Sequence, residues 1–130
     1  MSFTLMNGNF VASIIKEEVK KEVEKLKSKG INPCLAVILV GHNKASEKYV
    51  SFKEKSFKEV SIKNLIFKFD DEAKDEEIAN LIKELNSNRS VNGILVQLPL
   101  PARIRQKNIL EKIDPFKDVD GFTPYCLGRL

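Results

Sequence analysis

The 130-residue sequence predicts an α/β domain, an open parallel sheet with helices on both faces in βαβαβ order. Three observations carry that prediction. Short strand-like runs recur along the chain, each closed by a glycine, an acidic cluster or a proline-rich stretch. Stretches with apolar residues at helical spacing separate them. The first and third runs are continuously apolar rather than alternating, the pattern of strands covered on both faces.

From Val11 to Lys29, apolar residues at Val11, Ile14, Ile15, Val19, Val23 and Leu26 recur among Lys and Glu. This spacing predicts an amphipathic helix stopped by Gly30. Cys34 to Val40 is an uninterrupted apolar run ending at Gly41, a buried strand. A second helix is expected from Ala45 or Ser46 to about Val60, and a second strand from Ile62 to Phe69. Asp70-Asp71-Glu72 and Asp75-Glu76-Glu77 introduce a third helix through Ile78, Leu81, Ile82 and Leu85, since acids favour a helix N-terminus. Val91 to Val96 reads as a third buried strand, closed by Gln97-Leu98-Pro99-Leu100-Pro101, whose prolines cannot extend a ladder. A short helix around Ile104 to Ile113 and an irregular tail complete the chain. Sheets of this kind collect ligands outside the carboxyl ends of their strands, here the loops after Val40, Phe69 and Val96.

Hydrophobic residues make up 42% and charged residues 31%, enough for one domain, residues 1–130, with a core of its own. The net charge of +4 would permit anionic partners. Bases and acids are interleaved, however, as in Lys16-Glu17-Glu18-Val19-Lys20-Lys21-Glu22, which describes a solvated helix face and argues against nucleic acid. Cys34 and Cys126 lie far apart without metal-ligand spacing, so neither a disulfide framework nor a metal site is expected, and a reducing cytoplasm fits. Met1 to Val11 is too polar for a signal peptide, and no apolar run approaches membrane-spanning length.

A phosphate cradle needs clustered glycines, because only they let backbone N–H groups approach a phosphate closely. Gly8, Gly30, Gly41, Gly93, Gly121 and Gly128 spell neither GxGxxG nor GxxxxGK[ST]. A phospho-acceptor domain would want paired acids after the first strand, where this chain has Gly41-His42-Asn43. The lone His42 has no orienting partner in the pattern and reads as a loop residue.

On the second helix, at about 100° per residue, Ala45, Ser46, Phe52, Lys53, Ser56, Phe57 and Val60 fall within roughly 80° of Tyr49. Glu47, Lys48, Ser51, Glu54, Lys55, Lys58 and Glu59 lie opposite. Lys53 thus stands on the face predicted to be inward. Two readings follow. Its methylenes can lie on Phe57 while its ammonium reaches water. Alternatively, partial burial weakens an ammonium's hold on its proton, letting it pass protons near neutral pH with Tyr49 one turn away. Gln97 either ends a strand or fixes a ligand with a neutral donor and acceptor, and Asp120-Gly121 is a turn signal on pattern alone.

Together these residues resemble a known family. Val40-Gly41-His42-Asn43-Lys44-Ala45-Ser46-Glu47-Lys48-Tyr49-Val50-Ser51-Phe52-Lys53-Glu54-Lys55 is similar to the first signature of the bifunctional methylenetetrahydrofolate dehydrogenase/methenyltetrahydrofolate cyclohydrolases. Gly93 to Pro101 and Lys117-Asp118-Val119-Asp120-Gly121-Phe122 resemble the second and third, in the family's order. Three positions depart from it: Lys44 stands where proline is usual, Ser61 where glycine is usual, and Cys126 where asparagine is common.

The resemblance implies the first, catalytic domain of a two-domain enzyme of one-carbon metabolism and purine biosynthesis, with the Rossmann-type NADP domain outside this chain. The parent would oxidise 5,10-methylenetetrahydrofolate with NADP and hydrolyse the methenyl product to 10-formyltetrahydrofolate, as a homodimer. By motif, Lys53 would transfer the proton of the hydrolytic step, Tyr49 would stack on the folate, and Gln97 would tune Lys53. Asp120 would accept hydrogen bonds from the pterin, while Ser46, Val96, Leu98 and Pro99 would line the cleft. Two other classes stay open: a stand-alone folate- or protein-binding module without redox activity, and a small regulatory or nucleic-acid domain, for which salt-sensitive binding to polyanions would be diagnostic.

Overall fold

A computed structural model describes residues 7–130; Met1 to Met6, part of the Met1–Val11 stretch read against a signal peptide, lie outside the described residues. Three strands, β1 (Cys34–Val40), β2 (Lys63–Phe69) and β3 (Gly93–Val96), form one parallel sheet ordered β2-β1-β3. Five helices accompany them: α1 (Gly8–Ser28), α2 (Lys44–Glu59), α3 (Asp75–Ser87), α4 (Gln106–Leu110) and α5 (Pro124–Leu127). None of the described helices is long and apolar enough to cross a membrane.

The two faces of β1 define the packing. Cys34, Ala36, Ile38 and Val40 point into a core built with Ile78, Ile82 and Leu85 of α3, with Ile94 and Val96 of β3, and with Ile104, Ile109 and Ile113. Leu35, Val37 and Leu39 point the other way, against Val50 and Phe57 of α2 and Leu95 of β3. Helices therefore cover both faces, as the unbroken apolar run requires. A fully buried Ile of this core contributes about 1.5–3 kcal/mol by leaving water.

Several boundaries move from their expected places for local reasons. α1 begins at Gly8, ahead of the apolar repeat, because the Asn7 side chain accepts from the N–H groups of Asn9 and Phe10 at 3.1 and 3.2 Å. Of its apolar residues only Val23 is buried; Phe10, Val11, Ile14, Ile15, Val19 and Leu26 lie exposed among the described residues. β3 begins at Gly93 rather than Val91, since Asn92 instead clamps the start of β1: its side-chain oxygen accepts from Cys34 N–H at 2.9 Å and its own N–H donates to Cys34 O at 2.8 Å. The tail expected to be irregular contains α5, one turn capped by Thr123.

The ends of α1 and α2 are built alike. After α1, Gly30 sits at φ 78° while Ile31 N–H reaches back to Leu26 O; after α2, Ser61 sits at φ 60° while Ile62 N–H reaches back to Phe57 O. This closure needs a left-handed residue, which glycine adopts freely and serine only with strain. Ser61→Gly is therefore expected to stabilise the protein by about 0.5–1 kcal/mol after the added freedom of the unfolded chain is discounted. Urea unfolding checks this, and a destabilised variant would remove strain at Ser61 as the explanation.

Candidate functional site

The site forms where α2, the end of β3 and the segment after α4 meet. α2 starts because the Asn43 side chain caps it, accepting from Ser46 N–H at 3.0 Å. Ser46, only 2% exposed, turns its hydroxyl toward Leu98 O at 3.4 Å and so ties the first turn of α2 to the end of β3.

Two turns on, Lys53 lies half-buried and its Nζ donates to Gln97 Oε1 at 2.9 Å. Gln97 follows β3, its N–H still in the ladder to Ile38 O at 2.8 Å, and its Nε2 donates to Leu98 O at 3.0 Å. Because the amide nitrogen is already engaged, the amide oxygen is the atom turned toward the lysine. Leu98 O thus receives both Ser46 and Gln97, which ties the first turn of α2 to the amide that accepts from the ammonium. This bond directs the Lys53 ammonium toward Gln97, and the side chain as a whole stays partly exposed.

Tyr49 and Phe52 do not face inward as the helical wheel predicted. They are 60% and 53% exposed, whereas Ser46 and Val50 are buried and Phe57 partly so. The buried face is centred about 60° round from Tyr49, by the 100° step of the helix. Lys53 therefore sits nearer the middle of that face, with Tyr49 on the flank beside it and its ring open to a ligand. Val96 is fully buried in the core below the site, Leu98 partly so, and Pro99, joined to Leu98 by a cis peptide, is exposed.

Asp120 reaches the same region from the opposite side. Asp120 as a whole is exposed, but partial burial of its carboxyl pushes it above the usual range, while the Lys53 charge pulls it down and the Asp118 carboxylate pushes it up. It stands at the rim of a shallow hollow of about 400 Å³ whose walls include Leu35, Phe57, Leu95 and Val119. This hollow lies at the starts of β1 and β3, and none of Lys53, Tyr49 and Gln97 lines it. Gly93 makes the arrangement possible: a Cβ there would come within 2.5 Å of Val119 Cγ1.

His42 is a loop residue, as expected, 69% exposed and 3.7 Å from both Glu47 Oε1 and Asp70 Oδ1. The pattern reading gave no task to two groups that the structure places at the base of the site. Lys117 Nζ donates to Leu85 O and Asn88 O, both at 2.8 Å, as a second donor to carbonyls at the end of α3 that also accept from Asn88 N–H and Val91 N–H. The Asp118 carboxylate accepts from Gly121 N–H at 3.0 Å and Thr123 N–H at 2.7 Å. The signal for Asp118 was available, since Asp followed by Gly three residues later is a turn signature.

Comparison with known proteins agrees with this geometry. Residues 6–120 match the family described as tetrahydrofolate dehydrogenase/cyclohydrolase, catalytic domain. The bifunctional protein FolD of Thermodesulfovibrio yellowstonii is 59% identical over all 130 residues, which span 46% of that protein. The FolD of Aquifex aeolicus is 48% identical over 127 residues, 97% of this chain and 44% of that protein. Among solved structures, the bifunctional methylenetetrahydrofolate dehydrogenase/cyclohydrolase FolD of Campylobacter jejuni superposes with a TM-score of 0.95 at 49% identity, over 98% of this chain and 45% of that one. The Trypanosoma brucei enzyme, solved with NADP cofactor and inhibitor, gives 0.93 at 32% identity, over 97% of this chain and 43% of that one. The chain thus spans a little under half the length of these relatives, and it belongs to the tetrahydrofolate dehydrogenase/cyclohydrolase catalytic-domain family.

Proposed function

We propose that this chain is the folate-binding catalytic domain, residues 1–130, of an enzyme that oxidises 5,10-methylenetetrahydrofolate with NADP and hydrolyses the methenyl product to 10-formyltetrahydrofolate. The parent would be a cytoplasmic homodimer supplying formyl groups for purine biosynthesis. The observation that carries the reading is the Lys53–Gln97 hydrogen bond, which points an ammonium from a helix across the carboxyl edge of a parallel sheet, with Asp120 on the far side.

The folate's reactive carbon would lie between Lys53 and the cleft, with its pterin donating to Asp120 and its ring system against Tyr49. Hydrolysis adds water to the methenyl carbon and then breaks its bond to one ring nitrogen. The water loses one proton on attack, which passes to solvent, and its second as the carbinolamine collapses, when the departing nitrogen gains one; a lysine that accepts and returns a proton serves both steps. Gln97 holds Nζ in place through a neutral acceptor, so it orients the amine without adding a charge that would pin the proton. NADP would supply the hydride acceptor in the parent enzyme. The described residues do not fit that cofactor: the turn after β1 is Gly41-His42-Asn43 leading into a side-chain-capped helix, with no clustered glycines to admit a pyrophosphate. The task of this chain in the oxidation is to hold folate.

In the full-length enzyme, Lys53→Met is expected to lower the cyclohydrolase rate by about 10²–10⁴-fold. Stopped-flow hydrolysis of the methenyl compound measures it, and near-normal turnover would end the proton-transfer role. Titration calorimetry with a methenyltetrahydrofolate analogue should show binding lost in Tyr49→Ala and in Asp120→Ala; unchanged affinity in both would overturn the site.

A raised Asp120 pKa means that the folded state binds that proton more tightly than the unfolded chain does. Its favourable contribution is complete below the unfolded value of 3.8 and is lost as pH rises through the folded one. Asp120→Asn is therefore expected to unfold at a higher temperature than the parent at pH 7, with the difference shrinking toward pH 3. A difference independent of pH would contradict the burial argument.

A further inference from the structure

The third motif divides its work among its residues, and one of them acts on the site without touching it. Ile94 N–H donates to Lys117 O at 2.7 Å and Ile94 bridges to Asp118 in parallel, so this segment lies along the free edge of β3. Lys117 anchors the incoming side to the end of α3. Asn86 supports it further, donating to Lys112 O at 2.7 Å and accepting from Asp114 N–H at 2.9 Å. On the outgoing side the chain leaves the edge and turns back through Gly121, at φ 71°. The closure of that turn is the Asp118 carboxylate, one oxygen on Gly121 N–H and the other on Thr123 N–H. Thr123 is 1% exposed, and its hydroxyl accepts from Cys126 N–H at 3.3 Å to start α5. Asp120 sits inside this loop, two residues after the carboxylate that closes it.

We infer that Asp118 is a positioning residue for folate: it clamps the Asp118–Thr123 turn in the one conformation that presents the Asp120 carboxylate toward Lys53. The inference rests on the proposal that Asp120 receives the pterin. Burial alone would push the Asp118 carboxyl up, but hydrogen bonds within its own loop, that from Thr123 N–H foremost, outweigh it and hold the group below the usual range. The clamp is therefore ionised throughout the neutral range and acts as an acceptor only. Asparagine has the same shape but presents an NH₂ to one of the two backbone donors, so it opens half the clamp.

The test is a double-mutant cycle on the full-length enzyme, read as folate KM, NADP KM and kcat for Asp118→Asn, Asp120→Ala and the pair. Asp118→Asn is expected to raise folate KM about tenfold, the cost of one misdirected hydrogen bond to a charged group, with NADP KM unchanged. In the Asp120→Ala background it should add almost nothing, because its effect passes through Asp120. If Asp120→Ala raises folate KM and Asp118→Asn either leaves it unchanged or adds its full factor to the pair, the clamp is refuted and the folate site stands. If Asp120→Ala itself leaves folate KM unchanged, the site reading fails and the clamp fails with it. Should Asp118→Asn not accumulate as folded protein, Gly121→Ala perturbs the same turn by backbone strain alone, since no atom lies within 4 Å of the added methyl. Gly121→Ala should raise folate KM and Gly121→Asn, which tolerates the left-handed region, should restore most of it; equal KM values for glycine, alanine and asparagine would overturn the clamp.

Discussion

A strand with seven consecutive side chains that cannot face water must be covered twice, and β1 imposes that condition on everything around it. Its even-numbered residues demand α3 and the α4 region, its odd-numbered residues demand α2, and its edges demand β2 and β3. Once α2 lies on one face and β3 beside β1, the first turns of α2 and the carboxyl end of β3 must be neighbours. The Lys53–Gln97 hydrogen bond, 44 residues apart in sequence, follows from that packing. Ser46 keeps the spacing constant by fastening the α2 end of the contact to the Leu98 carbonyl that also orients Gln97.

The fold was legible because its main signal is burial. Cys34 to Val40 could only be a central strand, and the acids from Asp75 to Glu77 could only suit a helix start, where Glu77 indeed accepts from Lys74 N–H at 2.7 Å. What escaped was set by single side chains outside any periodicity. Asn7 moved the start of α1, Asn92 exchanged a strand residue for a clamp on Cys34, and Thr123 made a turn of helix in a stretch read as irregular. Capping depends on one oxygen meeting one N–H, and a period carries no record of that.

The site was legible to a different degree. Helical spacing correctly set Lys53 apart from its charged neighbours, yet it placed Tyr49 and Phe52 on the wrong side of the boundary. A wheel is centred by assumption; centring it on Tyr49 gave an aromatic ring the role that Ser46 and Val50 hold. The error has chemical content, because a ring buried against the sheet could not stack on a ligand, whereas one on the flank of the buried face can. The three motifs brought Lys53, Gln97 and Asp120 together by resemblance, and the structure adds the hydrogen bonds that hold Lys53 and Gln97.

Those bonds explain why charged groups can converge here at tolerable cost. A half-buried ammonium is destabilising unless its donors are engaged, and Gln97 engages one without neutralising it. Asp120 carries a penalty from burial and from the neighbouring Asp118 charge, relieved in part by Lys53. Asp118 is satisfied by the backbone of its own loop and so adds charge without adding an unmet acceptor. The region therefore holds one carboxylate satisfied by its own loop and a second, Asp120, which the proposed reading gives to the pterin. On the proposed reading, a donor-rich pterin that pairs with Asp120 would remove the remaining penalty, and the imbalance that costs stability would add to affinity.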